Sequence, residues 1–311
     1  MRFFLLIFLI TFSFNSYADL MRVIFLGTGT PRLDIERFSQ SILIESGNEK
    51  LLFDVGRGAT IRMSQANISI QEIDKVFLTH LHSDHTIGMP DLIMTGWVYH
   101  RNREMKIFGP HGTKKFINNI KEAFHEDIEI RTKHPEKLQL SGLNINIKEI
   151  EEGLIYQKDK LKVYAFSVSH GGGVKEAYGY KISNGKHTVV ISGDTNFSEN
   201  LVSHAKDSDL LIHEIAFAPK PLIEKSKKIE GLMNYHTTPE EMIKVLKLTK
   251  PRLTILTHVL ALGGMRLEPV LKKIKDSTNN QFKIKYAHDL MAIDVKEDFH
   301  IYSVNYNKLE K

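Results

Sequence analysis

Short apolar runs alternate with amphipathic stretches along most of this 311-residue chain. The apolar runs predict ten β-strands, at Arg22–Leu26, Ser41–Glu45, Leu51–Val55, Val76–Thr79, Asn144–Ile150, Leu161–Val168, Tyr178–Ser183, Thr188–Ser192, Leu210–Ile212 and Leu253–Thr257. The amphipathic stretches predict helices from Ala59 to about Ala66 and at Lys114–His125, Pro239–Leu248 and Glu268–Lys275. No repeat or low-complexity linker interrupts this alternation, so the pattern predicts one compact α/β domain.

The helix at Pro239–Leu248 has the strongest start signal. Thr238 can act as the N-cap, Pro239 suits the first helical position, and Glu241 completes a capping box. The preceding stretch, Leu222–Leu232, carries three lysines, and we interpret it as a loop near His236.

The N-terminus has the pattern of a secretory signal peptide. Arg2 gives a basic start, residues 3–10 form a short apolar core, and Ser16-Tyr17-Ala18 is a small-x-small cleavage site. We therefore predict a signal peptide at residues 1–18, one folded domain at residues 19–311, and a periplasmic or secreted location. The apolar core is shorter than the ~20 residues that span a bilayer. We accordingly expect no stable membrane anchor after cleavage, with a retained anchor as the alternative.

The amino-acid composition of the chain limits the metal ligands that it can offer and the substrates that it suits. Hydrophobic residues make up 42% of the chain and charged residues 25%, enough to form a sizeable core. The chain has no cysteine, so a bound metal would have to be held by histidine and carboxylate side chains. The net charge of +5 suits anionic substrates without requiring nucleic acid.

The segment His80-Leu81-His82-Ser83-Asp84-His85 places three imidazoles and a carboxylate within six residues. In an extended segment His80 and His82 point the same way, so both can reach one cation. Asp84 and His85 are offset from that pair and suit a second cation, at roughly 3.5–4 Å from the first. Zinc is the first choice for such ligands, with Mn²⁺ or Fe²⁺ as substitutes. A chance histidine cluster on a solvated loop is the alternative.

Other predicted strands also end on residues that can bind metal. His170, Asp194 and His258 each follow one, and His213-Glu214 follows the strand at Leu210–Ile212. Because strand ends gather at one edge of a sheet, we expect these side chains to converge on one site.

Together these motifs resemble the metallo-β-lactamase fold superfamily. The resemblance rests on His80-Leu81-His82-Ser83-Asp84-His85, Ser169-His170-Gly171, Ser192-Gly193-Asp194-Thr195 and Leu256-Thr257-His258. It implies a four-layered αββα sandwich with the metal site at one edge of the two sheets.

By match to that family's motifs, two Zn²⁺ ions are expected. The first would be held by His80, His82 and His170, the second by Asp84, His85 and His258, and Asp194 would bridge them. Asp54 matches a buried family aspartate that braces the ligand loop. Outside this context, His170 and His258 would be interpreted as hydrogen-bonded core or surface histidines.

Within the superfamily the chain resembles the ribonuclease Z and arylsulfatase-like branch. Leu211-Ile212-His213-Glu214-Ile215-Ala216-Phe217 is similar to the branch's His-Glu-Ala-Thr motif, and Tyr235-His236-Thr237-Thr238 to its His-Ser-Thr motif. The resemblance implies that Glu214 and His236 form a catalytic proton-handling pair and that Asp84 contacts the nucleophile. A purely structural Glu214–His236 pair is the alternative, and we expect His213 to lie in the core rather than bind metal.

These features predict an exported dinuclear-zinc hydrolase of small anionic sulfate or phosphate esters, similar to arylsulfatases or phosphodiesterases. Ribonuclease Z members usually carry a long Gly/Pro-rich arm to grip tRNA, whereas Tyr178–Ser192 here passes only through Ser183-Asn184-Gly185-Lys186. A tRNA 3′-end endonuclease is therefore the alternative, with a nucleic-acid substrate compatible but not favoured. A lactonase and a non-catalytic metal-binding protein are further alternatives, and the branch is compatible with a homodimer.

Overall fold

The computed structural model describes residues 20–133 and 135–304. The predicted signal peptide at residues 1–18 lies outside the described residues and stays a prediction, as does the homodimer. Within the described ranges, none of the helices combines the length and the apolar character that crossing a bilayer requires.

The described residues form fifteen strands and ten α-helices. The strands are β1 Met21–Gly27, β2 Ser41–Ser46, β3 Glu49–Phe53, β4 Lys75–Phe77, β5 Met105–Gly109, β6 Ile145–Glu149, β7 Gly153–Lys158, β8 Leu161–Ser167, β9 Tyr178–Ser183, β10 Thr188–Ile191, β11 Leu210–Phe217, β12 Leu253–Ala261, β13 Ile284–Tyr286, β14 Met291–Val295 and β15 His300–Ser303. The helices are α1 Ala59–Gln65, α2 Ser83–Thr86, α3 Met89–Val98, α4 Thr113–Ala123, α5 His125–Lys133, α6 Glu199–Ala205, α7 Lys220–Lys225, α8 Lys227–Asn234, α9 Pro239–Thr249 and α10 Leu267–Ser277.

The strands form two mixed sheets. One has eight strands in the order β15-β14-β1-β2-β3-β4-β5-β6, and the other has seven in the order β13-β12-β11-β10-β9-β8-β7. In the first sheet β3 to β6 are parallel, and in the second β10 to β13 are parallel. Parallel neighbours end at the same edge of a sheet, which brings sequence-distant residues together there.

Alternating side chains of the strands fill separate cores. In β1, Val23 and Phe25 pack between the two sheets, while Ile24 and Leu26 pack on the outer face. Each fully buried side chain of this size contributes about 1.5–3 kcal/mol to stability.

Helices cover the outer faces of both sheets. Residues of α1, α3 and α4 pack on the first sheet, and residues of α6, α9 and α10 pack on the second. The four layers are therefore helices, sheet, sheet and helices, which confirms the predicted αββα architecture.

Some predicted elements differ from the structure. The predicted strand Leu210–Ile212 continues to Phe217, because β11 pairs in parallel with β12 as far as Ala261. His213 and Glu214 therefore lie inside a strand rather than after one. The predicted helix Lys114–His125 matches α4 to within two residues at each end, and a further helix, α5, follows it directly.

The stretch Leu222–Leu232, interpreted from the sequence as a loop, forms most of helices α7 and α8. Leu222, Ile229 and Leu232 pack on a small apolar cluster that includes Leu260. The apolar side chains between the lysines thus give this segment a buried face. Helix α3 was missed because apolar residues dominate it, so its pattern lacks a clear polar face.

Glu49 connects the two sheets at one end. It lies on β3 of the first sheet, and its carboxylate accepts hydrogen bonds from Tyr156 and Lys158 on β7 of the second. Lys75 on β4 lies 3.0 Å from the same carboxylate. Burial alone would raise the pKa of Glu49, but these three partners outweigh it and lower the pKa to about 2.

We predict that Glu49→Gln destabilises the fold in a pH-dependent way. Because folding lowers the pKa of Glu49, its contribution is complete above about pH 4.5 and is lost as the pH falls toward 2. At pH 7 the variant should lose about 1–3 kcal/mol of unfolding free energy. Urea unfolding at several pH values from 7 to 3 would measure this, with Glu122→Gln as an exposed control. A wild-type–variant difference that stays constant over this range would contradict the assignment.

Candidate metal centre

The segment from Thr79 to His85 follows β4 and changes conformation halfway. His82 is extended and precedes the first turn of α2, which contains Asp84 and His85. The change from extended chain to helical turn separates the four candidate ligands into two pairs. His80 and His82 point toward one group of side chains, and Asp84 and His85 toward another.

His170 completes the first group. It follows β8, and its Nε2 lies 3.2 Å from Nδ1 of His82. The ring centroids of His80 and His170 are 4.8 Å apart. The structure thus brings together the three histidines that the sequence motif assigns to the first metal ion.

His258 completes the second group through a bulge in β12. Glu214 pairs with Thr257 and Ile215 pairs with Val259, so His258 is the extra residue in its strand. Its φ of 44° is unusual for a residue other than glycine. A bulge redirects a side chain, and here His258 Nε2 lies 3.1 Å from Asp84 Oδ2.

Asp194 lies between the two groups. Its carboxylate is 3.4 Å from His85 Nε2 and 3.5 Å from His258 Nε2, and it also clusters with His80. Gly193, with a φ of 63°, turns the chain between β10 and this aspartate. Asp194 is therefore placed to contact metal ions held in either group.

Asp54 braces the ligand loop, as its sequence match predicts. One carboxylate oxygen accepts from the Thr79 backbone N–H at 2.8 Å. The other accepts from the Thr79 hydroxyl at 2.9 Å and from His85 Nδ1 at 2.7 Å. The buried aspartate thus fixes both the backbone before His80 and the ring of His85.

Thr79 has a role that sequence reasoning missed. Since its hydroxyl donates its one proton to Asp54, it acts as acceptor toward His80 Nδ1, 3.0 Å away. His80 and His85 then both carry their ring proton on Nδ1, which leaves the Nε2 lone pairs free. The signal for this role is the position of Thr79, directly before His80.

The unpaired atoms of this cluster fit metal ions. His80 Nε2 and His85 Nε2 are buried without a hydrogen-bond partner among the described residues. Such atoms are costly unless a partner satisfies them. They point into groups of histidine and aspartate whose ligand atoms lie within 4.8 Å of one another. The cluster can therefore hold metal through nitrogen and oxygen ligands.

The electrostatics favour the protonation states that bind metal at His80, His170 and Asp194, whereas His85 has to release a proton when it binds metal. Burial lowers the pKa of His80 and of His170, which keeps these rings neutral. Burial would raise the pKa of Asp194, but the charges of His258 and His85 hold it well below its usual range. For His85, Asp194 and Asp54 outweigh burial and raise the pKa well above its ordinary value.

Glu214 and His236 form a buried pair beside the cluster. His236 Nδ1 lies 3.2 Å from Glu214 Oε1, which also accepts from the backbone N–H of Thr195 and of Thr237. Burial would lower the pKa of His236, but Glu214 outweighs it and raises the pKa to about 9. His213 is buried and bonds to the Glu214 carbonyl, consistent with its predicted core position.

A cavity of about 470 Å³ opens over these residues, and we call it the His236 cavity. It is lined by Thr30, Pro31, Arg32, His82, Asp84, Asp194, Lys228, Ile229, Leu232, Tyr235, His236, His258, Leu260 and Leu262. The cavity combines an apolar wall with two cations and four of the seven candidate ligands.

Tyr235 is a second residue that sequence reasoning missed. Its carbonyl accepts from His170 Nδ1 at 3.2 Å, and its ring packs edge-on to the His170 ring. Side chains at Gly171 or Gly172 would meet Tyr235. The only available signal is its position next to His236.

We predict that Asp54→Asn weakens metal binding by about 10- to 100-fold, as loss of a supporting hydrogen bond does in other sites. Asparagine tolerates the φ of 55° at this position, but its one amide oxygen cannot accept both from the Thr79 backbone N–H and from His85, which bond to different oxygens of Asp54. Competition with a chromophoric chelator would measure the affinity. Asp276→Asn, an exposed change on α10, is the control. Unchanged affinity in Asp54→Asn would contradict the bracing role.

Comparison with known proteins places this chain in a family. The family model described as Anti-Pycsar protein Apyc1 matches residues 21–253. A ribonuclease Z from Pyrococcus horikoshii is 31% identical over 272 residues, covering 77% of this chain and 86% of that protein. The family match spans six of the seven predicted ligands and stops before His258.

Solved structures share the fold at lower identity. The metallo-β-lactamase fold protein YhfI from Bacillus subtilis is 17% identical, with a TM-score of 0.69 over 89% of this chain and 100% of that chain. Human tRNase Z, short form, is 23% identical, with a TM-score of 0.67 over 88% of this chain and 99% of that one. The chain therefore belongs to the family described as Anti-Pycsar protein Apyc1, as a ribonuclease Z-like hydrolase of the metallo-β-lactamase fold.

Proposed function

We propose that this protein hydrolyses phosphodiester bonds with two divalent metal ions, Zn²⁺ being the first choice. The observation that carries the proposal is the convergence of four chain segments, those after β4, β8 and β10 and the bulge in β12, on one cluster. Seven candidate ligands lie together there: His80, His82, Asp84, His85, His170, Asp194 and His258. Metal ions at these ligands would supply Lewis acidity and an activated water at neutral pH.

Two residues that line the cavity, Asp84 and His236, suit the proton transfers of ester hydrolysis. Asp84 lines the cavity and can accept a hydrogen bond from the attacking water. His236 uses Nδ1 for Glu214, which leaves Nε2 to donate a proton to the departing oxygen. Because Glu214 raises the pKa of His236 to about 9, the ring is an available acid at neutral pH.

Two cations at the rim favour an anionic substrate. Arg32 and Lys228 both line the His236 cavity, and Arg32 is held by a 2.9 Å hydrogen bond to the Ala261 carbonyl. Lys228 projects from α8, the segment interpreted from the sequence as a loop. Cations beside the reacting centre raise the local concentration of a phosphate ester.

The relatives favour phosphate over sulfate. The relative from Pyrococcus horikoshii is named ribonuclease Z, and that name gives no support to the expected arylsulfatase activity. We therefore propose cleavage of RNA phosphodiesters, including tRNA precursors, as the specific form of the activity. The strands β9 and β10 are joined by four residues, so any grip on tRNA would use other surfaces. Only the sequence analysis supports the predicted small anionic ester as a substrate and the predicted export of the protein.

We predict that Zn²⁺-loaded protein turns over bis(p-nitrophenyl) phosphate faster than p-nitrophenyl sulfate or a lactone. The two cations Arg32 and Lys228 suit an anionic ester, and the relative named ribonuclease Z favours a phosphodiester over a sulfate ester. Asp194→Asn should abolish the activity because it replaces the shared carboxylate ligand with a neutral amide. Precursor tRNA, tested in parallel, would show whether RNA is a substrate. Preferred turnover of the sulfate ester would restore the arylsulfatase interpretation. Absence of turnover with metal bound would support a non-catalytic metal-binding protein.

We predict that His236→Asn impairs esters with poor leaving groups most. An alkoxide needs a proton as it departs, so turnover of an RNA diester should fall about 10²- to 10⁴-fold, the usual contribution of a general acid. A p-nitrophenolate leaves unaided, so its release should fall far less. Glu214→Gln should act in the same direction, and His125→Asn on exposed α5 is the matched control. Equal losses on both substrates would mean that the pair is structural.

A further inference from the structure

A second cavity lies beside the candidate metal centre, on the other side of His82. It has a volume of about 360 Å³, within the range of small-molecule sites, and we call it the His111 cavity. Leu81, Pro110 and Val174 give it apolar surface, while His111, Lys175 and Glu176 give it charge. The mechanism above does not use this cavity.

The two cavities share a wall at the candidate metal centre. His82 lines both of them. Tyr235 lines the His236 cavity and packs against Gly172, which lines the His111 cavity. A substrate whose phosphate lies at the metal ligands therefore has one cavity available on each side.

Hydrogen bonds hold two polar side chains of the His111 cavity in fixed positions. Glu176 accepts from the His111 backbone N–H at 2.9 Å and from His111 Nδ1 at 2.8 Å. These two bonds fix the imidazole and carboxylate relative to the start of α4. Lys175 is exposed beside them and makes no ion pair with the described residues. The cavity thus offers a fixed imidazole–carboxylate pair and an uncommitted cation.

The position of His236 determines which cavity holds the leaving group of a diester and which cavity holds the group that stays on phosphorus. It lines the His236 cavity and not the His111 cavity. The departing oxygen must lie within hydrogen-bond reach of its proton donor. The leaving group therefore occupies the His236 cavity, which leaves the His111 cavity for the group that stays on phosphorus.

We propose that the His111 cavity is the binding site for the retained group of the phosphodiester, and that this group is a nucleoside. The inference rests on the proposed function and extends it to the substrate's second half. Leu81, Pro110 and Val174 suit the face of a base or sugar ring, and Glu176 and His111 suit hydroxyl or ring N–H groups. A small alkyl group would leave these polar atoms without a new partner.

The test holds the leaving group constant and varies the retained group. Metal-loaded protein would be assayed on methyl p-nitrophenyl phosphate and on thymidine 5′-(p-nitrophenyl phosphate). Both release p-nitrophenolate, so the difference in kcat/KM reports only the retained group. We expect the nucleoside ester to be favoured about 10-fold or more, the scale of one or two new hydrogen bonds.

Two variants test whether the preference for the nucleoside ester arises in the His111 cavity. Val174→Trp should fill the cavity, and Glu176→Gln should break its charged pair. Each should lower kcat/KM for the nucleoside ester about 10-fold while leaving the methyl ester unchanged, since only the former loses a contact. Lys160→Ala, on the distant β7–β8 turn, is the control. Calorimetric binding of thymidine 5′-monophosphate should weaken in the same two variants.

The outcomes separate this inference from the proposed function. If the wild type cleaves neither ester, the proposed function fails. If it cleaves both without preference, or if the preference survives in Glu176→Gln and Val174→Trp, the proposed function stands and the nucleoside site is wrong. Should Val174→Trp fail to fold, Glu176→Gln and the calorimetric measurement decide the matter.

Discussion

The carboxylate of Asp54 is the interaction on which the candidate centre depends most. It stands at the end of β3 and receives three hydrogen bonds, from the Thr79 backbone, the Thr79 hydroxyl and His85. Through Thr79 it also sets the ring proton of His80. One buried aspartate thereby aims a ligand toward each of the two groups. A buried carboxylate without these donors would be costly, so the brace and the ligand loop stabilise each other.

The packing of the two sheets brings the candidate metal ligands together. The first sheet carries Asp54 and the His80–His85 segment, and the second carries Asp194 and His258. The centre therefore exists only where both sheets pack together. The bulge that turns His258 inward and the bend at Gly193 are local departures from regular structure at this edge. Such departures are usual where function imposes a conformation.

The candidate metal ligands could be predicted from the sequence because they lie in one short segment or directly after apolar runs. His80, His82, Asp84 and His85 fall in one segment, and His170, Asp194 and His258 follow apolar runs. Other features depend on tertiary contacts. The extension of β11 through Glu214 needs β12 as a partner, and α8 needs the apolar cluster around Leu260. Tyr235 acts through its carbonyl, which every residue type possesses, so its side-chain identity gave no signal.

The anomalous diffraction of crystals grown with Zn²⁺ tests the central claim most directly. The account predicts two peaks per chain, about 3.5–4 Å apart as in other two-metal sites. One should contact His80, His82 and His170, the other Asp84, His85 and His258, and both should contact Asp194. A single peak, or two peaks of which neither contacts Asp194, would contradict the dinuclear centre.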